Sequence, residues 1–117
     1  MPTRKSKLKN RAFNRQKGRC YYCNALMWLT DPNTFSGNHQ ITAKQASRFQ
    51  CTSEHLVARC DGGKDTQKNI VAACRFCNAK RHQRSSAPDP VSYKQLITQR
   101  KNRGKWHPQD LLFLTTD

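Results

Sequence analysis

The sequence predicts a small α+β domain: two short strands leading into a helix, with further helices on both sides and a metal staple. Three observations predict it. Residues 51–58 and 70–73 have strand character and enclose the turn Asp61-Gly62-Gly63. A helix is expected to begin near Cys77 or Asn78 and to run through Arg84. Two Cys-x-x-Cys pairs, Cys20/Cys23 and Cys74/Cys77, are spaced to aim four sulfurs at one ion.

The remaining elements follow in order. Residues 1–9 carry Arg4, Lys5, Lys7 and Lys9 with no acid. They read as a solvated tail or as a basic arm that contacts phosphates. Residues 8–17 suit a helix, with Leu8, Ala12 and Phe13 on one face and Gly18 as its stop. Residues 27–30 read as a short strand. Residues 31–41, rich in Asp, Pro, Asn, Ser and Gly, read as a loop. Residues 42–49 read as a short helix with Thr42 as its N-cap. After a break at 85–90, Asp89-Pro90 gives an N-cap followed by proline at the first helical position. That helix is expected to run to about Arg103 and stop at Gly104. Trp106 and the run Leu111 to Leu114 either fold back on the core or meet a partner.

Composition sets the partner's sign. The chain has 117 residues, 35% of them hydrophobic, and a net charge of +15. A mean hydropathy of -0.95 leaves little material for a core, so a staple is expected. The charge calls for an anionic partner, and a phosphate backbone is the leading one because neutralising it releases counterions. No stretch approaches the ~20 apolar residues of a membrane span. The basic N-terminus has no apolar segment after it, so no secretory signal is expected. The expected compartment is cytoplasmic and reducing, where cysteines bind metal rather than pair as disulfides. Zinc is therefore expected on Cys20, Cys23, Cys74 and Cys77. Cys51 and Cys60 lack knuckle spacing and read as free thiols.

A second set carries chemistry. Hydrolysing a phosphodiester needs an activated water and a counter-charge at phosphorus and the leaving oxygen, which a hard divalent cation supplies. Glu54 and Asn78 offer a carboxylate and an amide oxygen. His55 offers an imidazole whose unperturbed pKa of ~6.5 suits general-base work. Adjacent strand residues point to opposite faces, so Glu54 and His55 share a site only if the strand ends or bends there. Arg75, Lys80, Arg81 and Arg84 crowd the expected helix, and Arg81 and His82 fall near the face of Asn78. With Arg75, Lys80 and Arg84, they are candidate phosphate contacts. Tyr21, Tyr22 and Phe76 read as packing groups, and His39 and His107 receive no role.

The order Glu54-His55, Gly62-Gly63, Asn69, Cys74-x-x-Cys77-Asn78, Lys80-Arg81 resembles the ββα-metal (His-Me) finger of HNH endonucleases, in the subgroup stapled by two Cys-x-x-Cys pairs. The likeness covers residues 19–84, with an insertion near 30–50. It implies one nuclease domain over 1–117, with a basic arm at 1–9 and a C-terminal helix and tail at 89–117. By the same likeness His55 deprotonates the attacking water. Asn69 braces the loop between the strands and helps hold the histidine, while Glu54 and Asn78 hold Mg²⁺ or Mn²⁺. Asn78 stands where histidine is commoner, which favours hard cations. Glu54 replaces the commoner aspartate. The family cuts nucleic acid, usually DNA, and typically leaves 5′-phosphate and 3′-hydroxyl ends. DNA is thus the expected partner, with RNA left open. Nothing resembles a dedicated sequence reader, so weak sequence preference is expected. A double-strand cut needs two sites or two nicks, so a homodimer or a regulatory partner is worth testing. The alternative reading is a zinc-stapled module that binds nucleic acid without cutting it.

Overall fold

The computed structural model describes residues 2–83 and 86–116. The elements run α1 (Arg4–Arg15), α2 (Pro32–His39), α3 (Ala43–Ser47), β1 (Cys51–His55), a 3-10 turn (Arg59–Asp61), β2 (Ile70–Cys74), α4 (Arg75–Arg81), α5 (Pro90–Asn102) and a second 3-10 segment (Gln109–Thr115). The expected α+β class is what the chain adopts. β1 and β2 pair antiparallel from Cys51↔Cys74 to His55↔Ile70, and β2 runs directly into α4.

Each helix start has a local cause. The side chain of Thr3 accepts from the backbone of Ser6, so α1 begins within the segment read as a basic arm. Its buried residues are Leu8 and Ala12, and it packs on β2 and β1. Residues 31–41 are not the loop that their composition suggested. Asp31 caps the backbone of Asn33 and Thr34, Pro32 opens α2, and Phe35 is buried. Thr42 and Gln45 form a capping box at α3, which ends at Ser47, short of the expected residue 49. Residues 27–30 make no strand; Trp28 forms a single parallel bridge with Gln50. β1 stops at His55 rather than at residue 58. α4 starts at Arg75, earlier than expected, because the Cys74 sulfur accepts from the backbone of Cys77. Asp89 caps α5 at Ser92, with Pro90 opening the helix.

The core is built from small and aromatic groups. β2 is buried along its whole length, and Tyr22, Phe49, Tyr93 and Ile97 fill the space around it. The C-terminal run folds back: Trp106, Leu111 and Leu114 are buried, and Leu26 N–H donates to the Leu114 carbonyl at 2.9 Å. His107 is buried between Phe49 and Phe76 and accepts from Arg48 Nε at 2.8 Å. Burial, and then the Arg48 charge, depress its pKa to about 4, so it serves as a neutral acceptor. Arg48 in turn stacks on Phe76, 3.4 Å from the ring centre.

The turn between the strands is sterically determined at Gly63. A Cβ there would lie 1.7 Å from the Val57 carbonyl oxygen, backbone that cannot swing aside. Gly63 N–H also donates to the Ala58 carbonyl at 2.9 Å. Gly63→Ala is expected to displace the whole 56–69 loop. Amide exchange of residues 56–69 should rise sharply while the α5 amides stay protected. Unchanged protection in the loop would refute this reading.

Candidate functional site

Two constellations adjoin the hairpin. In the first, the sulfurs of Cys20, Cys23, Cys74 and Cys77 are all buried and lie within 4.8 Å of one another. Cys23 and Cys74 sulfurs are 3.9 Å apart. A tetrahedral zinc with ~2.3 Å bonds places its sulfurs ~3.8 Å apart, so the donor set fits that ion. Hydrogen-bond donors reach three of the sulfurs. Backbone N–H groups of Tyr22 and Cys74 donate to Cys20 Sγ, that of Cys77 to Cys74 Sγ, and Trp106 Nε1–H to Cys77 Sγ. Burial pushes the Cys74 and Cys77 thiols well up. Burial also opposes ionisation of Cys20, but hydrogen bonds with Cys23, Cys74 and Cys77 together carry it well below the ordinary thiol range. Joint ionisation of buried thiols is opposed by their burial, and a bound cation would offset that cost. Cys51 is buried, with its thiol pushed up to about 12 by that burial, and Cys60 is exposed.

The second constellation sits where β1 ends. Glu54 points inward and is 1% exposed. Its Oε2 accepts from Tyr22 O–H at 2.9 Å and from Arg81 Nη1 at 3.0 Å. Among the described residues its Oε1 meets only His82 Nε2, at 2.9 Å. Burial, and then the Glu54 charge, push the Tyr22 phenol up, which keeps it a donor. His55, the next residue, turns the other way. Its Nε2 lies 2.8 Å from Asp65 Oδ1. Asp65 also receives a forked pair of bonds from Arg59 Nη2, at 3.0 and 2.9 Å. The bond to His55, and then the Arg59 charge, hold the Asp65 carboxyl below its ordinary range. Two groups meet this nitrogen with opposite demands: Asp65, which only accepts, at 2.8 Å, and Arg59 Nε, a donor, at 3.3 Å; the shorter contact favours the proton of a neutral His55 ring on Nε2. Nδ1 is then its acceptor.

Asn78 is tied to the same strand: its Nδ2 donates to Thr52 Oγ1 at 3.0 Å and to the Ser53 carbonyl at 3.1 Å. Its amide oxygen is the atom it has to offer a cation. Asn69 clasps the loop. Its Oδ1 accepts from Val57 N–H at 2.8 Å, and its Nδ2 donates to the Val57 and Lys64 carbonyls.

The basic residues divide. Arg75 and Lys80 are exposed on α4. Arg81 is not on the surface: it is buried, and its guanidinium is spent on Glu54 and on the carbonyls of His55, Leu56 and Pro88. It fastens α4 to the end of β1 instead of waiting for a phosphate. His82 is partly exposed but engaged with Glu54. Arg84 lies outside the described residues. The sequence reading had no place for Arg59 or Asp65, although both flank the Gly62-Gly63 turn, nor for the Tyr22 hydroxyl. Arg81→Ala is expected to cost about 3–5 kcal/mol in denaturant unfolding, because it strips a buried carboxylate of its cation. A loss under 1 kcal/mol would show that His82 and Tyr22 suffice to hold Glu54.

The site can do two kinds of work. Glu54 Oε1 and His82 Nε2 form a hydrogen-bonded pair, which offers a cation one oxygen and one nitrogen once the shared proton leaves, and the Asn78 side chain lies one turn earlier on the helix that ends at His82. His55 Nδ1 is an acceptor held by an acid on the other ring nitrogen. A family model described as HNH endonuclease matches residues 20–84, more than half of the chain. No curated protein matches it.

Proposed function

The chain belongs to the HNH endonuclease family, and from that premise we propose that it is a metal-dependent endonuclease that hydrolyses DNA phosphodiesters. One observation carries the reading. The end of β1 at His55 splits two neighbouring residues between two tasks, Glu54 facing His82 and His55 facing Asp65. Binding nucleic acid needs neither arrangement.

In this reading Glu54, His82 and Asn78 hold Mg²⁺ or Mn²⁺. The bound cation neutralises charge at the phosphate and the leaving oxygen. His55 Nδ1 takes a proton from water, and the resulting hydroxide attacks phosphorus. The P–O bond to the leaving oxygen breaks, and that oxygen takes a proton from solvent. Asp65 fixes the tautomer that leaves Nδ1 unprotonated and stabilises the imidazolium that forms. Asn69 holds the loop that carries Asp65 at its place. Arg81 fixes Glu54 so that only Oε1 faces His82. Zinc on the four cysteines is structural, because all four tetrahedral positions are taken by protein.

The net charge of +15 supports a polyanionic substrate. A second reading has its own observation. Glu54 has a protein partner for each oxygen. That would suit a zinc-stapled module that binds without cutting. Supercoiled plasmid separates them. Zinc-loaded protein should nick or linearise it only with added Mg²⁺ or Mn²⁺. Retardation of the plasmid with no nicking under either ion would favour the binding module.

A further inference from the structure

We propose that the face of α1 carrying Arg4, Lys7 and Arg11 forms, with Gln67, a binding cleft for a DNA backbone phosphate that flanks the one that is cut. The inference rests on the nuclease reading for its substrate, and adds a site that reading does not use.

The spacing is the first argument. Arg4, Lys7, Leu8 and Arg11 recur at three- and four-residue steps, so they share one helix face. Leu8 is buried and anchors that face to the body, while Arg4, Lys7 and Arg11 are exposed above it. Together with Gln67 they line an open cleft of about 350 Å³. Three cations and an amide donor at one concave place suit an oxyanion with several acceptor oxygens.

The second argument is what the cations lack. α1 contains no acidic residue, so nothing on the helix relieves the repulsion among like charges at this spacing. Among the described residues, neither Lys7 nor Arg11 takes part in an ion pair. The neighbouring acid, Asp65, has its carboxylate committed to His55 and Arg59. Phosphate would supply the missing counter-charge.

The third argument is location. Arg4 Nε donates to the backbone carbonyl of Asp65 at 2.9 Å, and the side chain of that same residue holds His55. One residue therefore links the rim of the cleft to the proposed base. A strand whose scissile phosphate lies at His55 can run along α1, placing a flanking phosphate between Lys7 and Arg11. Lys64 and Lys68, both exposed in the adjoining loop, extend the positive surface.

The test is binding of a labelled DNA duplex by the full zinc-loaded chain, followed by fluorescence anisotropy over a range of KCl without added divalent ion. The slope of log affinity against log salt is expected to fall by about 0.9 for each phosphate contact removed, so by about 1.8 in the double variant Lys7→Gln/Arg11→Gln. Lys7→Arg should keep the wild-type slope. In cleavage the double variant should raise KM and leave kcat unchanged. Equal slopes for wild type and double variant, at equal zinc content and circular dichroism, would overturn the cleft. Failure of the nuclease reading looks different: wild type that binds but never cuts, with the double variant still losing slope, leaves the cleft standing.

Discussion

Removing zinc is expected to unfold the protein rather than loosen it. The four thiols come from two distant stretches, Cys20/Cys23 and Cys74/Cys77, and their cluster ties the chain before α2 to the strand and helix that carry the site. The apolar material is thin, at 35% of residues, and alanines take up a good part of the core around the cluster. Structural zinc contributes roughly 10–16 kcal/mol in small zinc modules. Whole-domain stabilities are about 5–15 kcal/mol. The first figure is as large as the second, so the metal-free chain falls below the threshold for folding. Cys74→Ser should behave likewise: its hydroxyl can still cap α4, but it removes one of the four thiolates. Far-UV circular dichroism and thermal unfolding before and after stripping with a strong chelator measure it. A metal-free chain that keeps a cooperative melt near the wild-type temperature would show that packing alone carries the fold.

The same argument makes chelation a poor probe of catalysis, because loss of cutting on chelation also follows from unfolding. His55→Ala is the cleaner substitution. It leaves the four cysteines, Glu54 and Arg81 in place, and removes a partly exposed ring from the end of β1. Loss of a positioned general base costs typically 10²–10⁴-fold in rate. His55→Ala is expected to lie in that range on kcat, with duplex affinity within a factor of two or three of wild type. Retained zinc and an unchanged melt establish that the loss is chemical. Loss of affinity in parallel with rate would instead make His55 a binding residue.

What the sequence made legible was local. Thr42 with Gln45 and Asp89 with Pro90 are capping signals complete within four residues, and both helices start there. Asp31 with Pro32 is the same signal as Asp89 with Pro90. The Asn, Ser and Gly that follow give the segment a loop's composition, yet α2 forms there. α1 begins at Arg4 rather than at the expected Leu8, because Thr3 caps it. The cysteine cluster was legible because knuckle spacing encodes geometry directly. The surroundings of Glu54 were not. Placing Arg81 and His82 on the face of Asn78 was sound helix arithmetic, but which way that face turns depends on how α4 docks on β1. It turns toward a buried carboxylate, not toward solvent. Asp65 and Arg59 reach His55 through the turn that Gly63 permits. A loop's return path of this kind has no periodic signature in the chain.

Glu54, His82 and Asn78 are proposed to hold the working cation while His55 moves the proton. The most direct measurement is plasmid cleavage rate against Mn²⁺ concentration for zinc-loaded wild type, His82→Ala and His55→Ala. The account predicts that His82→Ala needs at least roughly tenfold more Mn²⁺ for half its maximal rate, a shift of the size seen when a metal site loses a supporting group. It predicts that His55→Ala is slow at every concentration with an unshifted midpoint. Cleavage by His55→Ala at the wild-type rate, or an identical Mn²⁺ midpoint for His82→Ala and wild type, would contradict it.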